Sequence, residues 1–262
     1  MPYANVNGQR IYFEDSAGVG APVILAHGFL MDQEMFAPQV AALAPEFRVV
    51  TWDERGFGLT EFDGEPFTYW DSARDCLALL DHLGIERAVV GGMSQGGFVS
   101  IRAALTAPER VRALVLLDTA ADVDTPETMA ANQGMLDMWL AVGPVDELAE
   151  GIATLIINDP IENARWIAKW RLHPKELLAE PGRCLQSRDD VSSRLGEIAC
   201  PAIVIHGEAD NALTIDRAQA MAAALPGCAG VVRIPGAAHA ANLTHPALVN
   251  PPLLDFLRRL PA

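Results

Sequence analysis

A serine stands between two glycines in the segment Gly92-Met93-Ser94-Gln95-Gly96, directly behind the apolar run Arg87-Ala88-Val89-Val90-Gly91. The β-branched valines favour a buried strand, and residues 98–105 carry apolar side chains at helical spacing. Glycines on both sides of a serine between a strand and a helix allow a sharp turn that exposes the hydroxyl, as in a nucleophile elbow. The chain has 21 glycines, so the pentapeptide alone also fits an ordinary glycine-rich turn with an incidental serine.

A serine hydroxyl needs a base within hydrogen-bond reach, and the base needs an acid that orients it. The predicted strand Ala202–Ile205 leads into Asp210, and the predicted strand Val231–Ile234 leads into His239. Because parallel strands end at the same edge of a sheet, we expect both side chains to meet Ser94 there. The sequence therefore predicts Ser94 as the nucleophile, His239 as the base and Asp210 as the acid that holds the base.

Two other carboxylates compete with Asp210 for the role of the acid. Asp118 ends the predicted strand Arg112–Leu117, and Glu208 lies two residues before Asp210. His206, at the end of its strand, is expected to be a structural neighbour of the site and not the base.

Acyl transfer also needs hydrogen-bond donors for the oxyanion of the tetrahedral intermediate. We expect one donor to be the backbone N–H of Gln95, at a helix start whose dipole favours negative charge. The second is expected from the loop after the strand Val23–Ala26, where Gly28 allows a close backbone approach and Phe29 supplies the N–H. The alternative is an ordinary strand-to-loop glycine. His27 is expected to brace this loop without taking part in proton transfer.

Short apolar strands alternate with amphipathic helices through most of the chain, which indicates an α/β fold with a mainly parallel sheet. Asn7-Gly8 predicts a tight turn within an antiparallel hairpin over residues 6–15. The alternation lapses in the middle of the sequence, where we find helical periodicity and no convincing strand. Residues 1–121 and 192–262 are therefore predicted to form the core, and residues 122–191 a helical cap over the active site. The alternative is a long structured connection without a substrate role. The other predicted elements are strands at 23–26, 48–52, 87–91, 112–117, 202–205 and 230–234, and helices at 35–43, 72–83 and 247–260.

The cap contains the side chains that we expect to line an apolar substrate pocket, namely Trp139, Trp166 and Met138. Aromatic and methionine side chains at helical spacing are also common in an ordinary core. The basic residues Arg165, Lys169 and Arg171 are typical of a solvated helix face. The alternative is that they anchor a substrate carboxylate.

Composition limits the classes of partner. The chain has 19 basic and 34 acidic residues, a formal net charge of −15, which disfavours nucleic acid and anionic membranes. No apolar run approaches the roughly 20 residues of a membrane span, and no signal-peptide pattern is visible. No metal-ligand spacing occurs, so neither a metal nor another cofactor is expected, and the sequence predicts no oligomeric state. The cysteines, which we expect to be free thiols in a reducing cytoplasm, are Cys76, Cys184, Cys200 and Cys228.

Taken together, these residues resemble the α/β-hydrolase superfamily across nearly the whole chain outside the cap. Further matching segments are His27-Gly28, Asp53-Glu54-Arg55-Gly56-Phe57-Gly58, Ala107-Pro108-Glu109-Arg110-Val111 and His206-Gly207-Glu208-Ala209-Asp210. The resemblance implies a mostly parallel eight-stranded sheet flanked by helices with an inserted cap, and structural roles for Asp53 and Arg55. The chain looks most like the branch that holds 3-oxoadipate enol-lactonases, small-molecule esterases and cofactor-free haloperoxidases or perhydrolases.

Two departures from related subfamilies narrow the expected chemistry. Haloalkane dehalogenases and epoxide hydrolases carry an aspartate where this chain has Ser94, and alkylation of a serine would give a stable ether. Perhydrolase-like members often have methionine where this chain has Gln95, which weakens that assignment. The sequence thus predicts hydrolysis of a carboxylic ester or lactone of a small, mainly apolar metabolite through an acyl-enzyme. Two rival hypotheses use the same triad: hydrolysis of a carbon–carbon bond in a ring-cleavage product, and a receptor that binds its ligand without turnover.

Overall fold

The computed structural model describes residues 2–261 and contains one sheet of eight strands in the order β1-β2-β4-β3-β5-β6-β7-β8. The strands are β1 Tyr3–Val6, β2 Gln9–Asp15, β3 Pro22–Ala26, β4 Arg48–Trp52, β5 Ala88–Met93, β6 Val111–Leu117, β7 Ala202–Gly207 and β8 Cys228–Ile234. The pairs β1–β2 and β2–β4 are antiparallel, and every other neighbouring pair is parallel. The predicted fold class, a mostly parallel eight-stranded α/β sheet, is confirmed.

The antiparallel edge begins with the predicted tight turn. Val6 pairs with Gln9, and the two residues between them, Asn7 and Gly8, have φ angles of 48° and 81°. Asparagine and glycine tolerate this left-handed backbone better than other residues, which is why the pair favours a two-residue hairpin.

Helices cover both faces of the sheet. They are α1 Ala37–Leu43, α2 Tyr69–His82, α3 Gln95–Thr106, α4 Pro126–Val142, α5 Asp146–Ile156, α6 Pro160–Leu172, α7 Ala179–Gln186, α8 Ile215–Ala224, α9 Ala241–Thr244 and α10 Pro246–Arg259. Short 3₁₀ turns occur at Gln33–Phe36, Pro108–Arg110, Lys175–Leu178 and Ser192–Glu197. The chain between β6 and β7 is helical, with α4 to α7 in succession. Its division from the core as a separate cap remains a prediction.

The central strands are apolar on both faces because helices pack on each side. In β6, Leu114 and Leu116 point into the core that α2, α3 and α8 help to form. Val115 and Leu117 point into the opposite core, which includes residues of α1 and α10. Successive side chains of a strand point to opposite faces, so a doubly covered strand must be a continuous apolar run.

Helix boundaries differ from the predicted ones by a few residues. Helix α2 begins at Tyr69, earlier than predicted, because Thr68 and Asp71 form a reciprocal capping box. It ends at His82, one residue before the predicted end, and Gly84 follows with a φ of 64°. All four cysteines are free. Between residues 2 and 261, no helix combines the length and the apolar character that a membrane span requires.

Candidate active site

Ser94 lies at the sharp turn from β5 into α3. Its φ of 51° and ψ of −113° are unusual for a residue with a side chain, and the Thr119 hydroxyl braces the turn by donating to the Ser94 carbonyl at 2.7 Å. A Cβ on Gly96 would lie 1.9 Å from the carbonyl oxygen of Ala26, and a Cβ on Gly92 would lie 2.4 Å from the carbonyl carbon of Gly96. The two glycines are thus sterically required, and the strained backbone has the conformation of a nucleophile elbow.

The predicted acid and base are hydrogen-bonded to each other at the same edge of the sheet. His239 Nδ1 lies 2.7 Å from Asp210 Oδ2, while Asp210 Oδ1 accepts from the backbone N–H groups of Ala212 at 2.8 Å and Leu213 at 2.9 Å. Burial opposes ionisation of Asp210. The neighbouring His239 and the hydrogen bonds that the carboxylate accepts nevertheless hold the pKa of Asp210 well below the usual range. A carboxylate can only accept, so His239 Nδ1 carries the proton and Nε2 keeps a lone pair.

A second histidine contacts the same carboxylate. His206 Nε2 lies 3.1 Å from Asp210 Oδ2 and 2.7 Å from the carbonyl oxygen of Leu213. Both partners are acceptors, so His206 donates from Nε2. Burial opposes protonation of His206, yet the Asp210 hydrogen bond and the charge of Asp118 raise its pKa. His206 is therefore a neighbour that supports Asp210, as expected.

The competing carboxylates have other partners. Asp118 is buried and accepts from the backbone N–H groups of Gly207 at 2.7 Å and Ala241 at 3.1 Å, so it ties together the loops that carry Asp210 and His239. Burial raises the pKa of Asp118 to about 7. Glu208 accepts from Arg233 at 2.8 Å, near the surface. Neither is hydrogen-bonded to His239 within the described chain.

Ser94 and His239 line the same cavity. No hydrogen bond joins the Ser94 hydroxyl to His239 in residues 2–261, and such bonds commonly tighten only when a substrate is bound. The predicted nucleophile and base thus face one cavity.

Two backbone donors near Ser94 have no acceptor among residues 2–261, and they are the predicted N–H groups of Phe29 and Gln95. A Cβ on Gly28 would lie 2.4 Å from Met93 Sδ and 3.6 Å from Ser94 Cβ, so the loop that carries Phe29 passes directly beside the elbow. Gln95 is the first residue of α3, where backbone N–H groups lack intrahelical partners. The arrangement suits stabilisation of an oxyanion.

His27 braces this loop from inside the protein. Its Nε2 accepts the backbone N–H of Glu54 at 2.9 Å, so its proton is on Nδ1, which lies 2.8 Å from the Gly28 carbonyl. Complete burial lowers the pKa of His27 to about 4, so the ring is neutral near pH 7.

The turn at residues 53–58 is held by its own side chains. Asp53 accepts from the backbone N–H groups of Gln33 and Leu59, each at 2.8 Å, and Arg55 pairs with the buried Asp75 at 2.6 Å. A Cβ on Gly58 would lie 2.1 Å from an Asp53 carboxylate oxygen. These contacts give Asp53 and Arg55 structural roles.

A protein-family model described as an alpha/beta hydrolase fold matches residues 21–154, about half of the chain. The chain belongs to the α/β-hydrolase family. An esterase from Thermogutta terrifontis, solved with malate bound, is 29% identical, with a TM-score of 0.89 over 99% of this chain and 97% of that one. The enol-lactonase from Burkholderia xenovorans LB400 is 28% identical, with a TM-score of 0.89 over 98% of this chain and 100% of that one. A relative from Synechocystis sp., named as a non-heme chloroperoxidase, is 29% identical over 98% of this chain and all of its own length.

The candidate catalytic cavity, which Ser94 and His239 line, has a volume of about 200 Å³. Its apolar lining includes Trp139, Ile152 and Leu155 from the helices between β6 and β7. Its polar lining includes Arg188 and Asn211. Arg188 is nearly buried and pairs with Asp124 at 2.9 Å. Sequence reasoning missed Arg188 because Ser187-Arg188-Asp189-Asp190 has the composition of a solvated charge run.

Two of the three predicted pocket residues are placed elsewhere. Met138 is 52% exposed and does not line the cavity, because it points away from the face of α4 that presents Met135 and Trp139. Trp166 is buried but lines a separate, neighbouring cavity of about 360 Å³. Only Trp139 lines the catalytic cavity as predicted. Neighbouring residues of a helix are about 100° apart, so Trp139 and Met138 cannot share one face.

The basic residues of α6 do not face Ser94. Arg165 pairs with Glu34 at 2.8 Å, Lys169 pairs with Asp32 at 2.5 Å, and Arg171 pairs with an aspartate of α5. None of the three lines the catalytic cavity. All three pair with carboxylates of the protein itself. This favours the interpretation as a solvated helix face over the alternative of an anchor for a substrate carboxylate.

Proposed function

We propose that this protein is a serine hydrolase that cleaves a carboxylic ester or lactone of a small, mainly apolar metabolite through an acyl-enzyme. One observation carries the proposal: the hydrogen-bonded pair of His239 and Asp210 opens onto the same cavity as the strained Ser94, beside two free backbone donors. Nucleophile, base, orienting acid and oxyanion donors are the complete set that acyl transfer requires.

In the first half of the reaction, the lone pair of His239 Nε2 takes the proton of the Ser94 hydroxyl as the oxygen attacks the substrate carbonyl carbon. The negative charge that develops on the carbonyl oxygen is stabilised by the N–H groups of Phe29 and Gln95. Asp210 stabilises the imidazolium that forms. Collapse of the intermediate breaks the acyl–oxygen bond, and His239 returns the proton to the leaving alcohol oxygen.

The second half repeats these steps with water as the nucleophile. His239 takes a proton from water, the resulting hydroxide attacks the acyl carbon, and the ester bond to Ser94 breaks. The proton then returns to the Ser94 hydroxyl, and the carboxylic acid leaves. A lactone differs only in that its alcohol and acid remain in one molecule.

The cavity supports a small substrate with apolar character. Its volume is about 200 Å³, and its lining includes apolar side chains from α4 and α5. The similarity to an esterase and to an enol-lactonase, each aligned over nearly the whole chain, supports ester or lactone hydrolysis over carbon–carbon bond hydrolysis and over a receptor without turnover.

Replacing Ser94 by alanine tests the proposal. We expect Ser94→Ala to lower kcat for p-nitrophenyl butyrate and for a simple lactone by several orders of magnitude, with an unchanged melting temperature. Ser193→Ala is the matched control, because Ser193 is exposed and does not line the catalytic cavity. Retention of most of the activity by Ser94→Ala would refute the proposed mechanism.

A further inference from the structure

A second cavity lies next to the catalytic cavity and is the larger of the two. Its volume is about 360 Å³, compared with about 200 Å³ for the cavity at Ser94. Its lining combines aromatic surface from Trp166, Trp170 and Phe57 with charged side chains, among them Glu34 and Lys169. We call this second cavity the side cavity. The proposed reaction does not use it.

Three side chains separate the two cavities. Leu30, Trp139 and Leu178 line both of them, so they form the wall between them. Each of the three is at most 9% exposed. The wall is therefore one layer of apolar side chains between two spaces.

The three members of the wall are held to different degrees. The Leu30 carbonyl accepts a hydrogen bond from Trp170 Nε1 at 2.6 Å, and the Trp139 ring meets the Trp170 ring edge to face at 5.8 Å. Leu178 ends the 3₁₀ turn Lys175–Leu178 and contributes only an aliphatic side chain. It is the member whose truncation would open the wall with the least change to the aromatic packing.

The position of the wall indicates which part of a substrate would reach it. Leu30 directly follows Phe29, the proposed oxyanion donor, whereas the lining residue Asn211 directly follows Asp210, which is hydrogen-bonded to His239. The leaving group must lie near His239, which returns a proton to it. The part of the cavity beside Asn211 and His239 therefore suits the leaving group, which leaves the part beside the wall for the acyl chain.

We propose that Leu178 sets the maximum acyl length of this enzyme, and that the side cavity is a latent extension of the acyl site behind it. The substrate class is then an ester or lactone with a short aliphatic acyl chain. This inference rests on the proposed ester-hydrolase function.

Two series of esters test the proposal. In the first, p-nitrophenyl esters run from acetate to decanoate, and in the second, acetates run from ethyl to octyl. In the intact enzyme, we expect kcat/KM in the acyl series to fall once the chain reaches the wall. Leu178→Ala should raise kcat/KM for the longer acyl chains by about fourfold for each methylene newly buried, or roughly fifteenfold for two. The series of alkyl acetates should change less than twofold.

Two further variants make the result specific. Leu172→Ala removes the same atoms from a residue that lines only the side cavity. It should not extend the acyl range. Leu178→Val is a smaller truncation for use if Leu178→Ala is too unstable to assay. It should shift the acyl-length profile in the same direction by a smaller amount. An unchanged acyl profile in a folded Leu178 variant, or a shift confined to the alkyl acetates, would overturn the proposal.

Binding separates this inference from the proposed reaction. Trp139, Trp166 and Trp170 all line the side cavity, so a terminally brominated decanoate that enters it should quench their fluorescence. We expect stronger quenching in Ser94→Ala/Leu178→Ala than in Ser94→Ala alone, whether or not esters are hydrolysed. Equal quenching in the two proteins would refute the role of Leu178, whereas absence of ester turnover in the intact enzyme would refute only the proposed function.

Discussion

Replacement of Asp210 by asparagine should nearly abolish turnover while leaving the shape of the site intact. Asp210 Oδ1 accepts two backbone N–H groups, those of Ala212 and Leu213. An asparagine can satisfy these two donors only with its carbonyl oxygen, because its NH₂ group cannot accept. His206 Nε2 would lose its acceptor at Oδ2 but keeps the Leu213 carbonyl at 2.7 Å. The two backbone donors therefore fix the amide nitrogen at the place of Oδ2.

At that place the new NH₂ group faces His239 Nδ1, which lies 2.7 Å from Asp210 Oδ2 in the intact protein. Nδ1 must then accept, so the proton of the neutral ring moves to Nε2. A protonated Nε2 cannot take the proton of Ser94. A wrong tautomer of this kind in a serine hydrolase lowers kcat by about 10⁴-fold, which corresponds to about 5 kcal/mol of transition-state stabilisation.

The assay compares kcat for p-nitrophenyl butyrate in the intact protein and in Asp210→Asn, together with the rate at which a fluorophosphonate labels Ser94. Both should fall together, because both need the same base. Asp255→Asn is the control, since Asp255 is exposed on α10 and its nearest cation is 3.8 Å away. If folded Asp210→Asn retained kcat within tenfold of the intact protein, the tautomer argument would be wrong.

Three further predictions concern the surroundings of the proposed triad. The free energy of unfolding should depend on the ionisation of Asp118, whose pKa rises from 3.8 to about 7 on burial. A raised folded-state pKa contributes stability that is fully present below pH 3.8 and is lost as the pH rises through 7, by at most about 4 kcal/mol. Asp118→Asn should therefore have a lower free energy of unfolding than the intact protein at pH 4, and this difference, measured by urea unfolding, should shrink towards pH 7. A difference that stays constant would contradict the prediction. Gly28→Ala should lower kcat at least tenfold, because the added Cβ would lie 2.4 Å from Met93 Sδ and displace the loop that carries Phe29. Unchanged kinetics would show that the loop accommodates the Cβ without moving the Phe29 N–H. Met138→Ala should alter the free energy of unfolding by less than about 0.5 kcal/mol and leave KM unchanged, since the side chain is 52% exposed. A raised KM would show that Met138 contacts the substrate.

The fold was predictable because its signals are local. Strand β6 is apolar without interruption from Ala113 to Leu117, as a strand covered on both faces must be, and the pair Asn7-Gly8 has the backbone freedom of a tight turn. The elbow around Ser94 is similarly encoded in adjacent glycines that leave no room for a side chain. Such features need only a few neighbouring residues to be recognised.

The cavity beside Ser94 was less predictable because its surface comes from segments that are distant in sequence. Trp139 and Met138 are neighbours on α4, and only the packing of that helix decides which of them lines the cavity. The wall at Leu178 requires a loop after β3, a helix and a 3₁₀ turn to meet. Arg188 is similar, since it is buried together with its partner Asp124, which is distant in sequence.

Direct trapping of an acyl-enzyme tests the central claim most clearly. The protein would be mixed with p-nitrophenyl butyrate, quenched with acid within milliseconds and analysed by intact-protein and peptide mass spectrometry. We expect a butyryl adduct on Ser94 that decays as product forms, and no adduct in Ser94→Ala. Product formation at full rate with no adduct on Ser94, or with the acyl group on another residue, would contradict it.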